Sequence, residues 1–234
     1  MNMKRKIFPA GNYIDYWYDP NGNLLKISKE PNDGDPNIVT SYTYEPHFNF
    51  VKTVADPMGN VTTLDYNDTN GDLNSITYPE VNTPSGKQQP VVNFSYDSNG
   101  QVETITAPDG IVTKLEYGAD EVNEPNNYGR LVKVIMDYNE TASNALNITS
   151  EYEYDALGRV SEVNDPNGYK TKLAYNALDL LTKITDPCTN VTNFSYNKVK
   201  KISQIEREIT SEPNQIIKYA YDILDNLKRV TDPC

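Results

Sequence analysis

Glu153-Tyr154-Asp155-Ala156-Leu157-Gly158-Arg159-Val160-Ser161-Glu162-Val163 decides the reading of this chain. A tyrosine is followed by a short polar turn, then by two aliphatics at Tyr+6 and Tyr+9. Two residues before the tyrosine stands a second large ring, Tyr152. Residues two apart share one face of a strand, so Tyr152 and Tyr154 point the same way, with charged residues between them. Asp and Gly then mark a turn, because Asp caps a turn through its side chain and Gly supplies a positive φ. The local reading is strand, turn, strand.

Working outward, the same offsets recur for Tyr18 (Leu24, Ile27), Tyr96 (Val102, Ile105), Tyr175 (Leu181, Ile184), Tyr196 (Ile202, Ile205) and Tyr221 (Leu227, Val230). Tyr44 and Tyr66 fit with one more turn residue, and Tyr117 with an eight-residue insertion before Leu131 and Val134. Together with Tyr154 that is nine copies. The position two before each tyrosine holds Tyr16, Tyr42, Leu64, Phe94, Leu115, Tyr152, Leu173, Phe194 or Tyr219, all large and apolar or aromatic. A second turn closes each copy, as in Asp56-Pro57-Met58-Gly59, Asp165-Pro166-Asn167-Gly168 and Asp186-Pro187-Cys188-Thr189. Repetition at a fixed period is the mark of a repeat architecture, and short strands joined by such turns make hairpins. No stretch has helical periodicity; Val199 to Ile209, the nearest, fits the repeat frame better. Two aliphatics three apart do not share a strand face, so the frame requires a bulge or twist between them, or a second aliphatic leaning on a neighbouring layer.

The expected fold is therefore all-β: an antiparallel β-hairpin repeat array with an aromatic and aliphatic ladder on one face. Residues 1–12 read as an N-terminal lead-in or cap, and 13–234 as one array of about nine copies. The sequence closes on Thr231-Asp232-Pro233-Cys234, inside the pattern, so a truncated or incomplete array is expected. Repeat arrays need capping units, and open edge strands recruit partners. Self-association through sheet edges, or a missing C-terminal continuation, is the expected consequence.

Composition removes several functions. Thirty-three acidic against 21 basic side chains give a net charge of −12, which argues against nucleic acid, whose phosphates call for clustered Lys and Arg. No apolar run approaches the roughly 20 residues that span a bilayer, so no membrane insertion is expected. Ile7-Phe8-Pro9-Ala10-Gly11 is no signal-peptide core. With 1 His and 2 Cys there is no His/Cys zinc site without borrowed carboxylates and no disulfide framework. Cys188 and Cys234 both follow Thr-Asp-Pro, which leaves a pairing open, with free thiols the preferred reading. Apolar area is supplied instead by 18 Tyr.

The runs Tyr154-Asp155-Ala156-Leu157-Gly158-Arg159-Val160, Tyr18-Asp19-Pro20-Asn21-Gly22-Asn23-Leu24, Tyr96-Asp97-Ser98-Asn99-Gly100 and Tyr221-Asp222-Ile223-Leu224-Asp225-Asn226-Leu227 resemble the YD or RHS repeat. The resemblance covers the chain from about Tyr13 to Pro233. In that family the repeats form a coiled antiparallel sheet, and long arrays close into shells around toxic polypeptides in bacterial Rhs and insecticidal Tc proteins; teneurins carry related shells. The resemblance implies that the array forms a twisted, partly open β-spiral with the ladder on its inner face, a structural segment that encapsulates or displays a polypeptide, bacterial, secreted or at the cell surface. Asp179, Lys200 and Asp225 depart from it by standing where the repeat expects Gly. The Asp-Pro-x-Gly-Leu signature of the family's self-cleaving region is missing, and no autoprotease residue is carried over.

Other chemistry has plainer readings. Most Asp recur at turn positions, which suits backbone hydrogen bonding rather than a unique catalytic role, so no enzyme, no catalytic residue and no cofactor is expected. His47, in Glu45-Pro46-His47-Phe48, has no nucleophile signature beside it. Asp65 to Asp72 resembles a calcium loop only faintly, because an EF-hand wants an acid where Tyr66 stands, and no metal site is expected. Sequons such as Asn147-Ile148-Thr149 suit an Asn- and Thr-rich strand protein. The repeat tyrosines Tyr18, Tyr44, Tyr66, Tyr96, Tyr117, Tyr154, Tyr175, Tyr196 and Tyr221 are the expected structural rungs. The alternative is a carbohydrate-binding module whose exposed Tyr stack on sugars; ring direction separates the two.

Overall fold

Each copy of the frame folds as a β-hairpin. The computed structural model describes residues 4–9, 11–30, 36–140, 145–209 and 212–232, and among them every regular element is a strand. The Cys188–Cys234 pairing falls outside the described residues because Cys234 does; Cys188 is a free, exposed thiol. Two compact units divide the chain, Met1–Thr113 and Lys114–Cys234.

The first unit contains β1 (Arg5–Ile7), β2 (Tyr13–Tyr18), β3 (Leu24–Lys29), β4 (Ile38–Tyr44), β5 (Val51–Ala55), β6 (Val61–Tyr66), β7 (Leu73–Thr77), β8 (Val81–Thr83), β9 (Gly86–Gln88), β10 (Val91–Tyr96) and β11 (Val102–Thr106). Strands β1 to β7 pair in succession, β7 then pairs β10 and β10 pairs β11, all antiparallel. β8 and β9 make a separate hairpin. β12 (Val112–Tyr117) straddles the division of the two units.

In the second unit lie β13 (Leu131–Met136), β14 (Ile148–Tyr154), β15 (Val160–Asn164), β16 (Lys170–Tyr175), β17 (Leu181–Thr185), β18 (Val191–Tyr196), β19 (Ile202–Glu208), β20 (Gln215–Tyr221) and β21 (Leu227–Thr231). These also pair in succession and antiparallel. The all-β hairpin array expected from the repeat frame is the observed fold.

The three-residue spacing of the aliphatics is resolved by a bulge. In β14–β15, Tyr154 pairs Val160, Glu153 pairs Glu162 and Tyr152 pairs Val163, with a register shift between Glu153 and Tyr154. Ser161 is the extra residue. The bulge returns Val160 and Val163 to the face that carries Tyr152 and Tyr154, so the two apolar pairs stand directly opposite one another, the arrangement that stabilises a sheet. The same shift occurs behind Tyr18, Tyr44, Tyr66, Tyr96, Tyr175, Tyr196 and Tyr221.

Turn chemistry follows the residue types. The Asp155 carboxylate accepts the backbone N–H of Leu157 and Arg159 at 2.9 and 3.0 Å. Asn176 accepts those of Leu178 and Leu180, and Asp222 those of Leu224 and Asn226. The second turn is built alike, with Asp165 accepting from Asn167 and Tyr169. Asp179, Lys200 and Asp225, which replace Gly in the frame, take φ of 61°, 64° and 61°, so the left-handed turn is kept despite the missing glycine. The longer turn after Tyr44 uses Glu45, whose extra methylene lets one carboxylate reach the N–H groups of His47, Phe48 and Phe50.

β1 meets β2 at Arg5↔Asp15, Lys6↔Ile14 and Ile7↔Tyr13. Counted from the tyrosine, these are the rungs that β15 uses on β16. Residues 5–7 therefore stand where the end of an aliphatic strand stands in later copies.

Burial is shallow. Among the described residues Ile135, 7% exposed, is the one buried hydrophobic side chain, and no large side chain falls below 2%. The repeat tyrosines are all half-buried.

Candidate functional site

The site that this fold builds is a ladder. Rungs between β15 and β16 stop at Glu162↔Lys172, which leaves Val160 beyond the last rung. Its carbonyl lies past the paired register, and a partly buried carbonyl needs a donor. Tyr175 supplies one: its hydroxyl donates to the Val160 carbonyl at 3.0 Å. The first aliphatic of one copy is thus tied to the tyrosine of the next.

The bond repeats along both units. In the first, Tyr44 donates to Leu24, Tyr66 to Val51 and Tyr96 to Leu73, at 2.9 to 3.0 Å. In the second, Tyr154 donates to Leu131, Tyr196 to Leu181 and Tyr221 to Ile202, at 2.7 to 2.8 Å. Seven of the nine expected tyrosines are placed in one geometry by these bonds. Tyr117 ends β12 as the others end their strands. For Tyr18 the equivalent acceptor in the frame is Met3, which lies outside the described residues. Burial pushes the Tyr66 and Tyr154 hydroxyls above the usual phenol range, because the ionised form loses solvation.

A second rung escaped the reading of the sequence. The residue just before the first aliphatic lies on the next tyrosine ring. Arg159 sits 4.7 Å from the Tyr175 centroid, Lys201 5.2 Å from Tyr221 and Arg130 5.7 Å from Tyr154. Phe50 takes the same place against Tyr66 at 5.3 Å. A cation over a ring adds about 0.5–1 kcal/mol at an exposed site. The position holds Asn23, Asp72, Gln101 and Leu180 elsewhere, so no constant residue type marked it. Arg159 also bridges two turns. It pairs with Asp155 at 2.6 Å and Asp179 at 2.8 Å, and donates to the Asn176 carbonyl at 3.0 Å. Its hydrogen bond to Asp155 holds that carboxyl below the usual range.

The eight-residue insertion after Tyr117 is folded back on the array. Gly118 donates to the Arg130 carbonyl, Gly129 donates to that of Gly118, and the Tyr154 N–H donates to the Asn127 side chain at 3.1 Å. A Cβ on Gly118 would lie 2.1 Å from the Asn127 carbonyl oxygen, so only glycine fits.

The remaining candidates stay in turns. The His47 ring tilts against Phe48 at 4.7 Å. In Asp65 to Asp72, Asn67 caps the Thr69 N–H and Asn70 donates to Asp72. Among the described residues no three His, Cys, Asp or Glu side chains converge on one point. Asp15, beside an open recess edged by β1 and β2, is held by Arg5 and lies below the usual carboxylate range for that reason.

Comparison with known proteins agrees with the repeat reading. The family model described as RHS Repeat matches residues 154–191, the stretch that begins at Tyr154, and this bears out the RHS/YD resemblance. No curated protein matches the chain. Among solved structures, the crystal structure of TcdB2-TccC3-Cdc42 aligns over 96% of this chain with a TM-score of 0.73 and 15% identity. TcdB2-TccC3-TEV aligns over 94% with a TM-score of 0.56 and 16% identity. TcdB2-TccC3 without its hypervariable C-terminal region aligns over 97%, with a TM-score of 0.53 and 16% identity. The likeness is one of fold. This chain spans 12%, 12% and 14% of the lengths of those three.

Proposed function

We propose that this chain is a structural segment of an RHS-type shell, a wall that encloses or displays a polypeptide in toxin delivery or cell-surface interaction. Its setting is bacterial, secreted or at the cell surface, and it has no catalytic role. Residues 1–12 act in it as a lead-in to the array, a role that the register of β1 on β2 supports.

The observation that carries this reading is the phenol ladder. Seven tyrosines make one bond to one kind of carbonyl, so the distinctive residue of the repeat is consumed in joining copies. A residue used seven times in the same way supports a mechanical duty over a chemical one. The packed rings likewise favour this duty over sugar stacking, since a cation or a second ring already lies against Tyr66, Tyr154, Tyr175 and Tyr221. The ladder face is only half-buried, and a continuous half-exposed apolar face suits contact with another polypeptide.

The test is binding of a non-native polypeptide, with reduced, carboxymethylated α-lactalbumin as the probe, read by fluorescence anisotropy. Saturable binding that weakens on Phe94→Glu and Phe194→Glu is expected. Absence of binding, together with a positive glycan array, would overturn the shell reading in favour of the sugar-binding one.

A further inference from the structure

The turns that follow the tyrosine strands of the second unit form a rim. β14, β16, β18 and β20 are alternate members of a successive antiparallel meander, so they run the same way. Their turns fall side by side on one edge, about 10 Å apart, twice the inter-strand distance. At the tips, three residues after each tyrosine, stand Leu157, Leu178, Val199 and Leu224, which are 68%, 58%, 51% and 77% exposed. Each tip is fixed, its N–H donating at 2.9 to 3.0 Å to the Asp or Asn that opens the turn. The turn does not require an apolar tip, since Asn21, His47, Thr69 and Asn99 hold that place in the first unit. Four aliphatics in a row, fixed and exposed, make a candidate contact surface.

The residue after the tip carries charge at three of the four turns. Along the rim these positions read Gly158, Asp179, Lys200 and Asp225. Asp179 and Lys200 share nearly the same backbone, with φ of 61° and 64°, and both are exposed; Asp179 also shares its charge with Arg159 of its own chain, 2.8 Å away. We infer that this rim binds a second copy of the chain, packed antiparallel, rim to rim, about a two-fold axis between the turns of Asp179 and Lys200. A two-fold contact uses the same patch twice. In this register Leu178 meets the partner's Val199, and Leu157 meets the partner's Leu224. Asp179 faces the partner's Lys200, and Lys200 faces the partner's Asp179.

Two physical arguments select this occupant. The tip spacing is set by the strand spacing, so a second copy matches the row with no adjustment. The charges also select the register. A slip of one turn passes the axis through a single turn and sets Asp179 against its own copy, or Lys200 against its own copy, and like charges opposed in this way are costly. Four turns span only about 30 Å, less surface than a permanent dimer uses, so the association is weak, on the order of micromolar. The inference stands apart from the shell reading, because it needs only the rim.

Sedimentation velocity on the full chain, from about 1 to 300 µM, tests it. The wild type forms a dimer with rising concentration. Lys200→Asp alone and Asp179→Lys alone each oppose like charges and weaken the dimer by at least about tenfold. An equimolar mixture of the two variants restores it, because both contacts then become Lys against Asp. The matched φ at 179 and 200 makes the exchange neutral for the backbone, and Arg159 keeps Asp155 as a partner. Leu178→Asp abolishes the dimer while circular dichroism shows the sheet unchanged. A wild type that stays monomeric throughout, a dimer that survives both single charge variants, or a mixture no tighter than either variant alone would each overturn the proposal.

Discussion

The hairpin turns of the first unit and those of the second hold the same ladder and differ at their tips. In the first unit the left-handed residues are Gly22, Asn49, Gly71 and Gly100 and the tips are Asn21, His47, Thr69 and Asn99. In the second they are Gly158, Asp179, Lys200 and Asp225 and the tips turn apolar. Behind both kinds of turn the bulge, the opposed apolar pairs and the phenol bond are the same. The comparison teaches where this architecture is constrained. The ladder answers to backbone chemistry, since every copy leaves a carbonyl to satisfy, and it barely varies. The tips of the rim face water, with Leu157, Leu178, Val199 and Leu224 all more than half exposed, which leaves these side chains available for contacts.

The broadest way to break the comparison is pH, which acts on turns of both units at once. Asp56 in the first unit and Asp155, Asp186 and Asp222 in the second lie below the usual carboxylate range. For Asp56 and Asp186 the leading cause is a hydrogen bond from the side chain of Asn60 or Asn190; for Asp155 it is Arg159, and for Asp222 the Asn226 N–H. A lowered folded value stabilises above the unfolded pKa of about 3.9 and is lost as pH falls through the folded value. Tyr66 and Tyr154 have raised values, so their contribution is complete below about pH 10 and is lost as pH rises further. Both units should therefore lose stability together below about pH 4 and above about pH 10. Amide hydrogen exchange across the pH range checks this, and a unit indifferent to acid would break the equivalence.

Next in size are the tyrosines themselves. Tyr175→Ala should cost about 2–4 kcal/mol, through lost ring packing and an orphaned carbonyl. Tyr175→Phe keeps the ring and should cost about 1 kcal/mol. The pair Tyr66→Ala and Tyr66→Phe should match these values in urea melts, because Tyr66 makes the same bond in the other unit. Unequal losses would show that the two ladders are not the same device.

The left-handed turn residues sharpen the contrast. Thr189 has φ 67° where Gly59 has φ 85°, each in the fourth position of an Asp-Pro turn. A β-branched residue is strained there. Thr189→Gly should stabilise by about 1 kcal/mol and Gly59→Thr should destabilise by about 1–2 kcal/mol. Nothing lies within 4 Å of a Cβ at Gly59, so the effect is one of backbone alone. The smallest effect is expected at the rim: Leu157→Ser should change the urea midpoint by less than about 0.5 kcal/mol equivalent, because the side chain is exposed. A larger loss would mean that the tip packs within the array.

The sequence determined the hairpin frame. Tyr154, its ring two residues back, the Asp-led turn and the two aliphatics form a local pattern, and strand alternation and turn chemistry act over a few residues. The odd spacing of Val160 and Val163 was also legible, but a bulge, a twist and a second aliphatic on a neighbouring layer all fitted it, and only the strand pairing selected the bulge. Which atoms the tyrosines bond to was not legible. Val160 and Tyr175 belong to different hairpins, and only strand pairing shows that the rungs stop short of the Val160 carbonyl. The cations over the rings stayed hidden for the same reason: Arg159 has no local relation to Tyr175, and its position carries several residue types across the copies. Local chemistry thus set the elements and their order. The tertiary structure alone decided which carbonyls were left over, and therefore what the repeated phenol is for.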